Sequence, residues 1–233
     1  MEAIILAGGF GTRLQQVLID LPKAMAQVNG RAFIEYLLNY LTGQGIKKFI
    51  FSVGYKKEVV QNHLGNQFKN IPVEYAIEDE PFGTGGGIKN AMKLAEGESV
   101  FVLNGDSMFR VDLQALSQLH AEAQSDITIA LRFLDDTERY GSVSINEQRR
   151  IIGFKEKGIE NGSGYINGGI YLINKSYLLS PIFPEKFSIE KDCFEKNWKQ
   201  SRFFGFPSRG YFLDIGIPED YYRAQNEFRK FED

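Results

Sequence analysis

The stretch "LAGGFGTRL", Leu6 to Leu14, follows "MEAII" near the start of the chain and packs three glycines, a threonine and an arginine into the six positions Gly8 to Arg13. Ala3 to Ala7 form a short apolar run of strand type, so the glycines stand at the carboxyl end of a first β-strand. That is where open α/β sheets bind ligands. A dinucleotide-binding loop would have a third glycine where Leu14 stands and an acidic residue closing the next strand near Ser52 to Gly54; neither is present. A P-loop would continue as Gly-Lys-Ser/Thr, whereas this chain continues as Gly11-Thr12-Arg13. Two readings remain: a tight strand-to-helix turn without a ligand, or an anion cradle. Consecutive glycines let successive backbone N–H groups converge on one anion, and Arg13 adds a fixed cation. A triphosphate is the natural occupant.

Outward from this loop the first half alternates strand and helix signals. "AIILA", "KKFIFSV", "VEYAI" and "SVFVLNGD" read as strands, separated by helical "RAFIEYLLNYLTGQG", "KKEVVQNHLG" and "GGIKNAMKLAEG", the last spanning Gly86 to Gly97. The order predicts a Rossmann-like, mostly parallel sheet with helices on both faces. After Asp112 a helix precedes strands such as "DITIALRF", "GSVSI" and "RIIGFKE", which predicts a small antiparallel or mixed extension. "GGIYLI", a helical "SIEKDCFEKNWK", "RFFGF" and a helix from Pro218 close the chain. With 233 residues, one domain over 1–233 is expected.

Composition narrows the function classes. Against 30 acidic residues stand 27 Lys and Arg, a net charge of −3, which gives no global attraction to nucleic acid or to an anionic membrane. No run approaches the roughly 18 apolar residues of a membrane span. The first twenty residues lack a secretory pattern, and the single cysteine, Cys193, agrees with a reducing cytoplasm. Any anionic ligand must therefore be held by local cations. "LPKAM", Leu21 to Met25, offers one: Pro22 stiffens the backbone and projects Lys23 from a turn close to the glycine loop.

"LAGGFGTRL" together with "LPKAM" resembles the signature of the sugar-1-phosphate nucleotidylyltransferases, which join a nucleoside triphosphate to a sugar 1-phosphate and release pyrophosphate. The family usually has a second proline where Ala24 stands, a departure that leaves Lys23 in place. "EPFGTGGGIKNA" from Glu80, "LNGDS" from Leu103, "FKEKG" from Phe154, "INGGIY" from Ile166 and "FLDIGIPEDYYRAQ" from Phe212 match in the expected order over nearly the whole chain.

The chemistry this resemblance implies is in-line attack by one anion on another. Two unit charges about 4 Å apart at an effective dielectric near 20 repel by roughly 4 kcal/mol, so cations and a metal should dominate the site. A phosphate monoester is already largely dianionic at pH 7, so no general base is needed. That fits a chain with only two histidines, His63 and His120, which sit in helical segments with surface-like neighbours and read as structural or solvated. Cys193 reads as a packed thiol.

By the same resemblance Asp106 and Asp214 coordinate one Mg²⁺, Arg13 steadies the leaving phosphates, and Lys23 meets the α-phosphate under attack. Leu6, Ala7, Gly8, Gly9, Gly11, Thr12, Glu78, Gly83 and Thr84 complete the nucleotide site. Lys157 holds the incoming sugar phosphate, while Gly105, Tyr140, Gly141, Glu156 and Asn167 meet the sugar. Strand alternation sends Glu156 and Lys157 to opposite faces, so using both requires a bulge or a strand end. Glu78 and Glu80 precede "GTGGG", where the family places its base-reading loop; a carboxylate accepting from guanine N1–H and its amine together tilts the reading toward GTP. The chain runs about 20 residues past Asp214, which is too short for the added domains of longer relatives. Among short members it most resembles the branch that activates a heptose 1-phosphate. Mannose-1-phosphate guanylyl transfer, uridylyl transfer to an amino-sugar phosphate, and a non-catalytic nucleotide-sugar sensor are the competing expectations. Oligomeric state stays open, a homodimer included.

Overall fold

In β1 (Glu2–Leu6), Ala3 and Ile5 enter one apolar cluster and Ile4 enters another, and all three are wholly buried. A strand buried on both faces needs a helical layer on each, and the computed structural model, which describes residues 1–9, 21–137, 139–155 and 162–231, provides both. A hairpin of β2 (Gln27–Val28) and β3 (Arg31–Ala32) leads into α1 (Phe33–Gly43). Then follow β4 (Lys48–Val53), α2 (Lys57–Leu64), β5 (Gln67–Phe68), β6 (Ile71–Ile77), α3 (Gly83–Ala91) and β7 (Ser99–Asn104). The second half comprises β8 (Ser107–Phe109), α4 (Leu113–Glu122), β9 (Ile127–Leu134), β10 (Ser142–Ile145), β11 (Ile151–Lys155) and β12 (Gly164–Asn174). It ends with α5 (Lys175–Leu178), α6 (Glu195–Asn197), β13 (Phe203–Ser208), β14 (Phe212–Asp214) and α7 (Pro218–Glu227).

Helices α1, α2, α4 and α7 cover one face, packing on Ala3, Ile5, Phe49, Phe51, Phe101 and Leu103. Helix α3, α5 and a π-helical turn, Ile189–Phe194, cover the other, packing on Ile4, Ile50, Val100 and Val102. The parallel core runs β7–β1–β4–β6. Antiparallel β12 lies beside β7 with Ile170–Asn174 and beside β10 with Tyr165 and Ile166, while its other edge carries β9 and then β13. The switch of partner falls at Gly168–Gly169. Gly169 has φ +75°, and a Cβ there would stand 2.8 Å from Asn104 Nδ2, so a side chain would collide with the end of β7.

Helix α3 begins at Gly83, three residues before the predicted start, and gives way after Ala91 to a 3₁₀ turn, Met92–Leu94. The Gly85 and Gly86 N–H groups donate to Phe187 O at 2.9 and 3.3 Å, which satisfies two donors of the first turn without a side-chain cap. A Cβ on Gly85 would lie 2.3 Å from the Phe187 ring, and one on Gly86 2.1 Å from Glu185 O. These glycines therefore admit a crossing segment. The predicted helix "SIEKDCFEKNWK" is a π-turn followed by the three residues of α6. His120 departs from its surface-like reading: it is buried, hydrogen-bonded through Nδ1 to Thr128 Oγ1 at 2.9 Å and through Nε2 to Ser99 Oγ at 3.1 Å.

Candidate active site

The parallel register sets Leu6 level with Ser52 on β4 and Asn104 on β7, so the strands end along one line. Three cavities open there in a row, each sharing lining residues with the next. The first, about 380 Å³, is lined by Leu6, Gly8 and Gly9, by Ser52, Gly54 and Tyr55 after β4, and by Glu78, Glu80, Gly83 and Thr84 between β6 and α3. The Glu78 carboxylate is fixed in its wall, because Ser52 Oγ donates to Oε1 at 2.7 Å and the Phe82 N–H to Oε2 at 3.1 Å. A carboxylate has about four lone-pair sites, so acceptor capacity remains. Glu80, at the same wall, pairs with Lys186 at 2.7 Å.

The middle cavity, about 200 Å³, is lined by Leu6, Ala7, Gly9, Lys23, Ala24, Thr84, Asn104, Gly105 and Asp106. Pro22 is extended at φ −60° and ψ 144° and enters a 3₁₀ turn, Lys23–Met25, pinned by buried Ala24 and Met25. That anchoring aims Lys23 inward, where Nζ reaches Asp106 Oδ2 at 3.2 Å.

The third cavity, about 460 Å³, contains Lys23, Asp106, Tyr140, Gly141, Asn167 and Asp214, together with Arg139 and Glu190. Strands β8 and β14 join the two aspartates: Asp214 lies opposite Ser107, and the Ile215 N–H donates to Asp106 O at 3.0 Å. Burial, and then the charge of Asp106, push the Asp214 carboxyl up to about 6, although the Gly216 N–H and Lys23 pull it down. A pair of neighbouring carboxylates, one of them raised this far by burial and by the charge of the other, fits a hard divalent cation, and no third His, Cys, Asp or Glu joins them among the described residues. Magnesium-type sites commonly use one or two carboxylates and complete the shell with phosphate oxygens and water.

Of the residues singled out in the sequence, Leu6, Ala7, Gly8, Gly9, Lys23, Glu78, Gly83, Thr84, Gly105, Asp106, Tyr140, Gly141, Asn167 and Asp214 all line these cavities. Gly11, Thr12, Arg13, Glu156 and Lys157 lie outside the described residues, and β11 is described as far as Lys155. Ser52, Tyr55, Asn104, Arg139 and Glu190 were missed. Asn104 lies within "LNGDS" and Arg139 adjoins Tyr140-Gly141, whereas Glu190 enters through the π-turn, which has no helical-periodicity signal. His63 pairs with Glu35 at 2.8 Å away from these cavities, and Cys193 is wholly buried with its thiol pushed up to about 12 by burial. No helix among the described residues is long and apolar enough to cross a membrane.

Comparison with known proteins follows the same outline. Over 231 residues the chain is 46% identical to a D-glycero-alpha-D-manno-heptose 1-phosphate guanylyltransferase of Aneurinibacillus thermoaerophilus, covering 99% of this chain and 100% of that one. An enzyme of the same name from Campylobacter jejuni subsp. jejuni is 43% identical over 95% of this chain and 97% of its own. The crystal structure of HddC from Yersinia pseudotuberculosis complexed with GMP-PN superposes with a TM-score of 0.87 at 39% identity, over 97% of this chain and 99% of that one. The family model for Nucleotidyl transferase matches residues 2–230. The chain belongs to the nucleotidyl transferase family.

Proposed function

We propose that this protein transfers a guanylyl group from GTP to D-glycero-α-D-manno-heptose 1-phosphate, giving the GDP-sugar and pyrophosphate. The observation that carries the reading is the placement of Lys23, Asp106 and Asp214 where the glycine-edged cavity meets the larger third one. A donor phosphate chain entering from one side and an acceptor phosphate from the other meet at those charges. Full-length identity with two heptose 1-phosphate guanylyltransferases supports the acceptor, and the nucleotide analogue held by a close structural neighbour supports a nucleotide donor.

The first cavity takes the nucleoside, with the fixed Glu78 carboxylate positioned to accept from the guanine edge. Lys23 moves from Asp106 to the α-phosphate, and Arg13 steadies the leaving phosphates. Asp106 and Asp214 would hold Mg²⁺, which would supply charge neutralisation that side chains alone cannot. Tyr140, Gly141 and Asn167 meet the sugar; Asn167 is oriented by donating to the Tyr171 hydroxyl at 2.9 Å and accepting from the Gly169 N–H at 2.9 Å. Glu156 and Lys157 add to the acceptor site.

The test is pyrophosphate release with Mg²⁺ across GTP, UTP, dTTP, ATP and CTP, each crossed with heptose, mannose, glucose and N-acetylhexosamine 1-phosphates. The expected maximum is GTP with heptose 1-phosphate. Preference for another nucleotide overturns the guanine assignment, preference for mannose overturns the heptose one, and tight GTP binding without turnover on any acceptor favours a sensor.

A further inference from the structure

Arg139 lies between β9 and β10 and lines the third cavity. Its Nη2 donates to Asp220 Oδ2 at 2.7 Å, and Asp220, in the first turn of α7, is only 4% exposed. The other oxygen, Oδ1, accepts from Arg223 Nη1 at 3.1 Å, and Arg223 Nε continues to Glu227 Oε1 at 3.0 Å. A buried carboxylate is unfavourable unless ion-paired and hydrogen-bonded, so Asp220 is an unusual group to place beneath a side chain that is itself 52% exposed. It fixes the guanidinium at the cavity wall, 5.7 Å from the centre of the Tyr140 ring. The five donors of the fork outnumber the one Asp220 oxygen it meets, since the other accepts from Arg223.

Charge indicates what that fork is for. The third cavity presents the carboxylates of Asp106, Asp214 and Glu190, and the cations lining it among the described residues are Lys23 and Arg139. Lys23 stands on Asp106 and faces the middle cavity as well. An acceptor sugar is neutral apart from its phosphate, which enters largely as a dianion. We propose that Arg139 binds the phosphate of the acceptor sugar 1-phosphate, and that Asp220 is the positioning residue that holds its guanidinium ready. Pre-ordering the fork lowers the side-chain entropy lost on binding. The inference rests on the reading of this cavity as a sugar 1-phosphate site, but not on the identity of the base or of the sugar.

Calorimetric binding of heptose 1-phosphate, unphosphorylated heptose, methyl phosphate and GTP to wild type, Arg139→Gln, Arg139→Lys and Asp220→Asn tests it. Arg139→Gln is expected to weaken heptose 1-phosphate and methyl phosphate by about 10- to 100-fold, with GTP changed less than about twofold; thermal stability falls because buried Asp220 keeps Arg223 alone, and the retained GTP affinity shows that the fold is intact. Arg139→Lys, which keeps the charge but loses the fork, should lie between. Asp220→Asn should weaken heptose 1-phosphate and leave GTP unchanged. Undiminished heptose 1-phosphate binding by Arg139→Gln overturns the inference alone, as does a loss confined to heptose-containing ligands, which would mean that Arg139 reads hydroxyls. If wild type binds no sugar 1-phosphate, the acceptor reading of the cavity fails and takes this inference with it.

Discussion

At Asp214 burial favours the neutral carboxyl, while a cation-binding role needs the carboxylate. The divalent ion proposed to be shared with Asp106 would resolve that conflict, so Asp106→Asn and Asp214→Asn should each lower turnover by about 10²-fold or more while far-UV circular dichroism is retained. Near-normal turnover in either variant would remove its side chain from the metal site. His120 makes a separate prediction through pH. Burial lowers its pKa to about 4 from an ordinary 6.5. Below pH 6.5 the unfolded chain takes up a proton that the folded chain refuses, so this residue's contribution to stability falls as pH drops. The loss reaches about 3 kcal/mol near pH 4. Urea midpoints measured from pH 7 to pH 4 should fall more steeply for wild type than for His120→Gln; parallel curves would show that the imidazole does not carry the effect.

Among elements, the first turn of α3 is the most tightly constrained by the site. Three consecutive glycines there are poor helix formers, yet Gly85 and Gly86 let residues 185–187 cross directly over the helix, and Gly87 clears space for the Glu78–Ser52 hydrogen bond. The Thr84 hydroxyl then accepts from the Ile189 N–H at 3.0 Å, so the crossing segment is tied to a residue that lines all three cavities and presents Glu190 to the third. Gly86→Ala should cost about 1–3 kcal/mol through overpacking against backbone. Gly43→Ala, at the open end of α1 where no atom lies within 4 Å of the added Cβ, should be neutral or stabilise by up to about 1 kcal/mol. Denaturant midpoints for the pair check both, and equal effects would mean that the crossing segment yields freely.

Over the whole molecule, α7 ties the second half of the chain back onto the first. Phe228, which caps α7 and opens the 3₁₀ turn Phe228–Phe231, is wholly buried against Phe33, Tyr36, Tyr211 and Phe231, with ring centroids 5.0 to 6.1 Å away. Phe228→Ala should therefore cost about 3–5 kcal/mol, measured by urea unfolding; a loss below about 1 kcal/mol would mean that α7 repacks without it. The parallel core was legible because Ala3–Ala7, "KKFIFSV" and "SVFVLN" are apolar runs between helical patterns, and a strand covered on both faces leaves that trace locally. Gly8, Gly9, Lys23 and Asp106 were legible as residues of the strand-end cavities as well, each marked by neighbours in sequence. The glycines of α3 and the π-turn around Glu190 were not, since each depends on a segment roughly a hundred residues away. Local periodicity and turn chemistry thus determined the layered α/β architecture and the half of the site built by short-range geometry. Whether Asp106 meets Asp214 across 108 positions, and whether Arg139 is clamped by Asp220, only the tertiary structure decided, because strand pairing and burial join residues on which sequence spacing places no constraint.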